Sequence, residues 1–218
     1  MPRKRLIRTS QRPYHIVNQC DNREAFPGSL DLNWSIFSHR LFEAQLIYGF
    51  KVHAFVLMPN HFHLMASFPD QPIDEVMRWI SLSITKDINL ALNRCGHLFR
   101  GKYKWSLIND QCYLENVLRY IYQNPVRSNI VSHAQNYRFS SLRYVLGLDC
   151  PRYQLTPSYS QFEIGPTLER DVRNLDLISG RPQDQQTIEV TRKALRKSIF
   201  TPGAVRASRK RGILSAQE

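Results

Sequence analysis

The chain has 218 residues, is 42% hydrophobic and 11% aromatic, and carries 30 Lys and Arg against 18 Asp and Glu, a formal charge of +12. This is enough for one sizeable domain with a core plus an extension, and its longest apolar run, Ala54–Met58, falls far short of the roughly 18 residues of a membrane span. Cys20, Cys95, Cys112 and Cys150 are scattered with no CxxC pair, which argues against a disulfide framework or a thiolate zinc site.

The charge is unevenly placed. Residues 1–12 hold five basic groups and no acidic one, residues 165–218 hold eleven against six, and the body between keeps only +2. A near-neutral body with basic ends fits a polyanion, nucleic acid above all. The opening "MPRKRLIRTSQRP" lacks the apolar stretch of a secretory signal, so the expected location is cytoplasmic, associated with the nucleoid.

In chain order, "PYHIVNQC" (13–20) reads as a short strand and "DNREAFPGSLD" (21–31) as a loop. Residues 32–50 carry Trp34, Phe37, Leu41, Ala44 and Tyr48 at helical spacing and end near Gly49. "KVHAFVLM" (51–58) and "HFHLMASF" (61–68) form a hairpin across Pro59-Asn60. Residues 70–94 are a long amphipathic helix with Ile73, Val76, Met77, Ile80, Ile84, Ile88 and Leu92 on one stripe. "HLFRGKYKWSLI" (97–108) is basic and aromatic and ends as a strand. Residues 110–123 are a further helix, stopped by Pro125. The order β-α-β-β-α-β predicts an α+β, ferredoxin-like split βαβ fold: an antiparallel sheet with helices on one face. The expected organisation is a basic arm (1–12), a main domain (13–148) and a C-terminal extension (149–218), with short helical patterns near 167–178 and 184–197.

The chemistry gathers at "HAFVLMPNHFHLMASF" (53–68). Alternation along a strand puts His61, His63 and Met65 on one face, with Phe62, Leu64 and Ala66 on the other. Two neutral imidazoles so placed can chelate a divalent cation, although a lone HxH is as readily a packing pair. In the helix 110–124, at about 100° per residue, Tyr120 and Asn124 lie only about 40° apart, beside the stripe Leu114, Val117, Leu118 and Ile121. Tyr122 falls on the opposite flank. An Asn amide oxygen suits a hard cation. Two His, an Asn and a Tyr suit phosphoryl transfer: a cation neutralises charge on the phosphate, and the phenol, with an ordinary pKa of about 10, loses its proton as it attacks. The same spacing also fits an amphipathic tyrosine and a helix-end asparagine. His15, His53 and His97 have no partners legible in the sequence.

Taken together, "LMPNHFHLM", "GHLFRGKYK" and "RYIYQNPVRSNIV" resemble the single-tyrosine transposases of the HUH superfamily, in particular the REP-associated tyrosine transposases. The resemblance runs from about Arg12 to Tyr144, and "SGRP" (179–182) and the basic tail also look like that group; the final "SRKRGILSAQE" departs from its dense basic ending. By position, the resemblance makes His61, His63 and Asn124 the metal ligands and Tyr120 the nucleophile, with Tyr122 competing. It implies Mg²⁺ or Mn²⁺, no small-molecule cofactor, a single-stranded DNA substrate carrying a REP-like palindromic hairpin, a 5′-phosphotyrosine intermediate, and a monomer or weak dimer.

Single-stranded DNA is held by basic groups along phosphates and aromatic faces under bases. The candidates are Arg100, Lys102, Tyr103, Lys104 and Trp105, together with Arg3, Lys4, Arg5, Arg8 and Arg12; Arg192, Lys193, Arg196, Lys197 and Arg209–Arg211 are weaker. A strand with solvated lysines and a nonspecific basic arm are equally compatible. Two other functions fit parts of the pattern. A hairpin-binding module would not need the tyrosine, and a small-phosphoester hydrolase would not need the basic ends.

Overall fold

The computed structural model describes residues 6–109, 111–150, 152–156 and 185–200. Strand β1 (Tyr14–Gln19) leads through a 3₁₀ turn to helix α1 (Leu30–Tyr48), the hairpin β2 (Lys51–Leu57) and β3 (His61–Ser67), helix α2 (Ile73–Ala91) and strand β4 (Lys104–Leu107). Helices α3 (Gln111–Tyr122), α4 (Asn124–Arg127), α5 (Leu142–Val145) and α6 (Gln185–Ala194) follow. The sheet is antiparallel, in the order β2-β3-β1-β4. This is the expected α+β split βαβ plan.

Local signals set the helix ends. The Ser29 side chain accepts from the Leu32 amide at 3.2 Å, so α1 begins two residues before the apolar spacing suggests. Gly49 ends it at φ 63° and donates to the Gln45 carbonyl; a Cβ there would sit 2.2 Å from an Asp70 carboxylate oxygen. Helix α2 starts at Ile73, after an extended Pro72, with Asp74 and Glu75 in its first turn. Arg40 forks onto both Asp87 oxygens at 2.5 and 2.6 Å and also reaches Glu43, tying α1 to α2.

Both faces of the sheet are covered, rather than the expected one. On one side Tyr14, Ile16, Phe55, Leu57, Phe62, Leu64 and Trp105 pack against Phe37 and Leu41 of α1 and the isoleucine stripe of α2. On the other, Ala54, Val56, Met65 and Ile108 are apolar too, and would be left in water by a two-layer fold. They pack against Leu114, Val117, Leu118 and Ile121 of α3, with Tyr137, Leu142, Ala194 and Phe200.

The segments after residue 150 join the sheet at its two edges. Leu155 bridges Val52 of β2, and the Thr156 amide donates to the Val52 carbonyl at 2.8 Å. Ile199 bridges Leu107 of β4, flanked by hydrogen bonds from Leu107 to Ser198 and from Phe200 to Leu107. These contacts blunt both exposed edges. The second helical pattern, near 184–197, is α6; the first, near 167–178, lies outside the described residues, as do Arg3, Lys4, Arg5 and Arg209–Arg211. From Leu6 onward the arm is docked: Tyr14 donates its hydroxyl to the Ile7 carbonyl at 2.8 Å, and Arg8 pairs with Asp74 at 3.0 Å.

Candidate active site

Strand register brings the imidazoles together. Val17 of β1 lies opposite both His63 of β3 and Lys104 of β4, Gln19 opposite His61, and His15 opposite Ser106. Directly opposed residues share a face, so His15, His61, His63 and Lys104 all lie on the α3 side. The His61 and His63 rings are 5.0 Å apart at 80°.

Each ring has one nitrogen tied down. Asn60 donates its amide N–H to the Arg23 carbonyl at 3.0 Å, which turns its oxygen toward His61 Nδ1 at 2.7 Å. That nitrogen must donate, and His61 Nε2 keeps its lone pair. His15 Nε2 lies 2.9 Å from His63 Nδ1, and these two rings are stacked 5.1 Å apart at 12°. When His63 Nδ1 donates in this bond, His63 Nε2 is left as an acceptor, and it is buried with no hydrogen-bond partner among the described residues. Burial holds His15 down at about 3 and His61 at about 4. His63 falls well below the ordinary 6.5, through burial first and then through the charges of His15, His61 and Arg127. All three rings are therefore neutral near pH 7, as metal ligation requires.

Tyr120 sits over this pair. Its ring meets His63 edge-on at 5.9 Å and His15 at 6.1 Å. Tyr122 turns the other way, 1% exposed in the core, with its hydroxyl 3.1 Å from Ser141 Oγ. One expectation needs correcting. Asn124 is not on the tyrosine's helix, because α3 ends at Tyr122 and α4 starts at Asn124. Pro125 has no N–H for the ladder and its ring obstructs the preceding turn, so the chain breaks and restarts. The Asn124 side chain folds back onto the tyrosine's backbone: its Nδ2 donates to the Tyr120 carbonyl at 3.2 Å. Among the described residues no three His, Cys, Asp or Glu group into a metal site. Two imidazole nitrogens and an amide oxygen are donors that a divalent cation can take, and of the three the amide oxygen is the type that Mg²⁺ and Mn²⁺ favour.

A residue that the sequence reading passed over completes the site. The Arg127 guanidinium lies over the Tyr120 ring, 4.2 Å from its centroid, and Nη2 donates to the Tyr120 carbonyl at 2.5 Å. Burial pushes its pKa down; Tyr120 opposes that shift and Arg192 of α6 adds to it.

The candidate DNA contacts divide. Arg12, Arg100, Lys102 and Lys104 are exposed. Lys104 shares the face of His63, two strands and therefore roughly 10 Å away. Tyr103 and Trp105 are corrections: they are 6% and 8% exposed, packed into the α1–α2 core, and Trp105 meets Tyr14 edge-on at 6.1 Å. Strand alternation turns Trp105 away from Lys104, so neither aromatic ring offers a face to a base.

A family model described as "Transposase IS200 like" matches residues 8–124. The chain belongs to the IS200-like transposase family. A solved structure of a REP-associated tyrosine transposase bound to a REP hairpin is similar at 19% identity and a TM-score of 0.58, covering 77% of this chain and 99% of that one. A second structure, from Deinococcus radiodurans R1 and provisionally assigned as a transposase, gives 17% identity and a TM-score of 0.38, covering 56% of this chain and 95% of that one. No curated protein matches. No described helix of this transposase is long and apolar enough to cross a membrane.

Proposed function

We propose that this transposase nicks and rejoins single-stranded DNA beside REP-like palindromic hairpins, through a covalent 5′-phosphotyrosine on Tyr120. The observation that carries the reading is the Tyr120 ring, edge-on to His63, whose Nε2 is buried and has no hydrogen-bond partner among the described residues. Support for the substrate comes from the net charge of +12 and from the REP hairpin held by the similar structure. The catalytic unit is residues 13–148, with the described segments after residue 150 packed onto its sheet.

His61 Nε2, His63 Nε2 and Asn124 Oδ1 would hold Mg²⁺ or Mn²⁺. Bound there, the ion supplies charge neutralisation on the non-bridging oxygens of the scissile phosphate. Tyr120 Oη attacks phosphorus. The Oη–P bond forms, the P–O3′ bond breaks, the phenol gives up its proton and the departing 3′ oxygen takes one up. No electrons are exchanged, and the phosphodiester energy is kept in the tyrosine ester, so a 3′-hydroxyl can reverse the step or join a new strand. Lys104, Lys102 and Arg100 border the face where the strand would run and bind its phosphates.

The test uses a single-stranded hairpin oligonucleotide with Mn²⁺ and a denaturing gel. A covalent adduct is expected with the natural chain and with Tyr122→Phe, and none with Tyr120→Phe. An adduct that survives Tyr120→Phe refutes the assignment. Hairpin binding with no adduct under any metal leaves a binding protein in place of the enzyme.

A further inference from the structure

Two buried polar atoms beside Tyr120 have no hydrogen-bond partner among the described residues, and they need opposite things: His63 Nε2 offers a lone pair, Arg127 Nη1 an N–H. A buried donor left unpaired costs about 1–3 kcal/mol, and more when it is charged, so it calls for a partner that arrives later. The rest of the Arg127 head is committed to the tyrosine, with its face on the ring and Nη2 on the backbone carbonyl. None of the described ion pairs includes Arg127. Its recorded charged neighbour on another element is Arg192, a second cation. A half-buried guanidinium facing a like charge, with a spare donor, is a site for an anion.

We propose that Arg127 is a catalytic residue of the nicking reaction: Nη1 donates to a non-bridging oxygen of the scissile phosphate while the guanidinium face holds the Tyr120 ring beside it. The inference rests on the reading of Tyr120 as the nucleophile. A phosphate with its cation satisfies both orphaned atoms at once, the cation at His63 Nε2 and the oxygen at Nη1. Only a planar, forked cation can stack and donate together; an ammonium cannot. Position 127 follows from the break at Pro125, because α4 turns its last residue back over the end of α3.

The experiment measures the rate of adduct formation on the hairpin oligonucleotide with Mn²⁺. The scissile phosphate is either natural or replaced by one of its two methylphosphonate diastereomers, which lack one non-bridging charge. Arg127→Gln is expected to slow the natural substrate by about 100-fold, the usual cost of one transition-state donor. For one diastereomer the penalty seen in the natural chain should shrink at least ~10-fold in Arg127→Gln, the coupling expected of groups in contact. Arg127→Lys should fall between, with metal-free hairpin affinity and melting temperature unchanged; if Arg127→Gln fails to fold, Arg127→Lys carries the diastereomer comparison. A rate within about threefold of the natural chain, or undiminished penalties for both diastereomers, overturns the proposal. If the natural chain forms no adduct, the nicking reading falls and takes this one with it. A normal adduct with an unimpaired Arg127→Gln removes only Arg127.

Discussion

Tyr120 is held from three sides: His63 and His15 meet its ring edge-on, Arg127 covers its face, and Asn124 and Arg127 both donate to its carbonyl. Side-chain entropy is spent before substrate arrives, which is what the proposed role as nucleophile requires. Among these neighbours His15 has a separable task. With His15 Nε2 as acceptor, His63 carries its proton on Nδ1 and turns the lone pair of Nε2 toward an ion. His15→Phe keeps a flat ring in the stack but removes the acceptor, and is predicted to weaken Mn²⁺ binding by about 10-fold in calorimetry while leaving metal-free hairpin affinity intact. Binding within a factor of about two of the natural chain would reduce His15 to packing. The sequence showed the His61–His63 pair because its two-residue spacing is local. The His15 contact spans 48 positions and exists only through the β1–β3 register, which no local pattern displays. Arg127 was missed for a related reason: its approach to Tyr120 depends on the turn that Pro125 imposes.

At the scale of elements, the described part of the C-terminal extension, residues 185–200, belongs to the core. Helix α6 and Phe200, which is 1% exposed, close the second face of the sheet, and residues 198–200 pair with the β4 edge. Phe200→Ala should therefore cost about 3–5 kcal/mol, in the range of buried Phe truncations, and this is measurable as a lower denaturant midpoint. A midpoint unchanged within error would show the 198–200 segment to be dispensable. The main helices and the hairpin were legible because hydrophobic period and caps are local signals, as with the α2 stripe and Gly49. The two-sided cover was not. Met65 falls on the face away from Phe62 and Leu64, and the residues that bury that face, far along the chain, leave no local signal beside it. Trp105 failed in the same way: a basic, aromatic stretch looked like a DNA platform, while alternation sent its aromatic rings to the core and its lysines to the surface.

Across the whole molecule, the buried histidines make stability depend on pH. His15, His53, His61 and His63 all have folded pKa values lowered by burial, so the unfolded chain binds protons that the folded chain refuses. Their contribution is complete above the unfolded value of about 6.5 and is lost as pH falls below it, by up to roughly 1.4 kcal/mol per unit for each ring. The melting temperature, measured without metal, should drop between pH 7 and pH 5; a flat or rising profile would contradict the buried, neutral rings. In the proposed reaction the cut depends on one residue, Tyr120. Its most direct test is fragmentation mass spectrometry of the peptide spanning residues 120–127 after reaction with the hairpin oligonucleotide and Mn²⁺. The account predicts a nucleotide joined through phosphate to Tyr120; a nucleotide on Tyr122, or an unmodified peptide from DNA that has been cut, would contradict it.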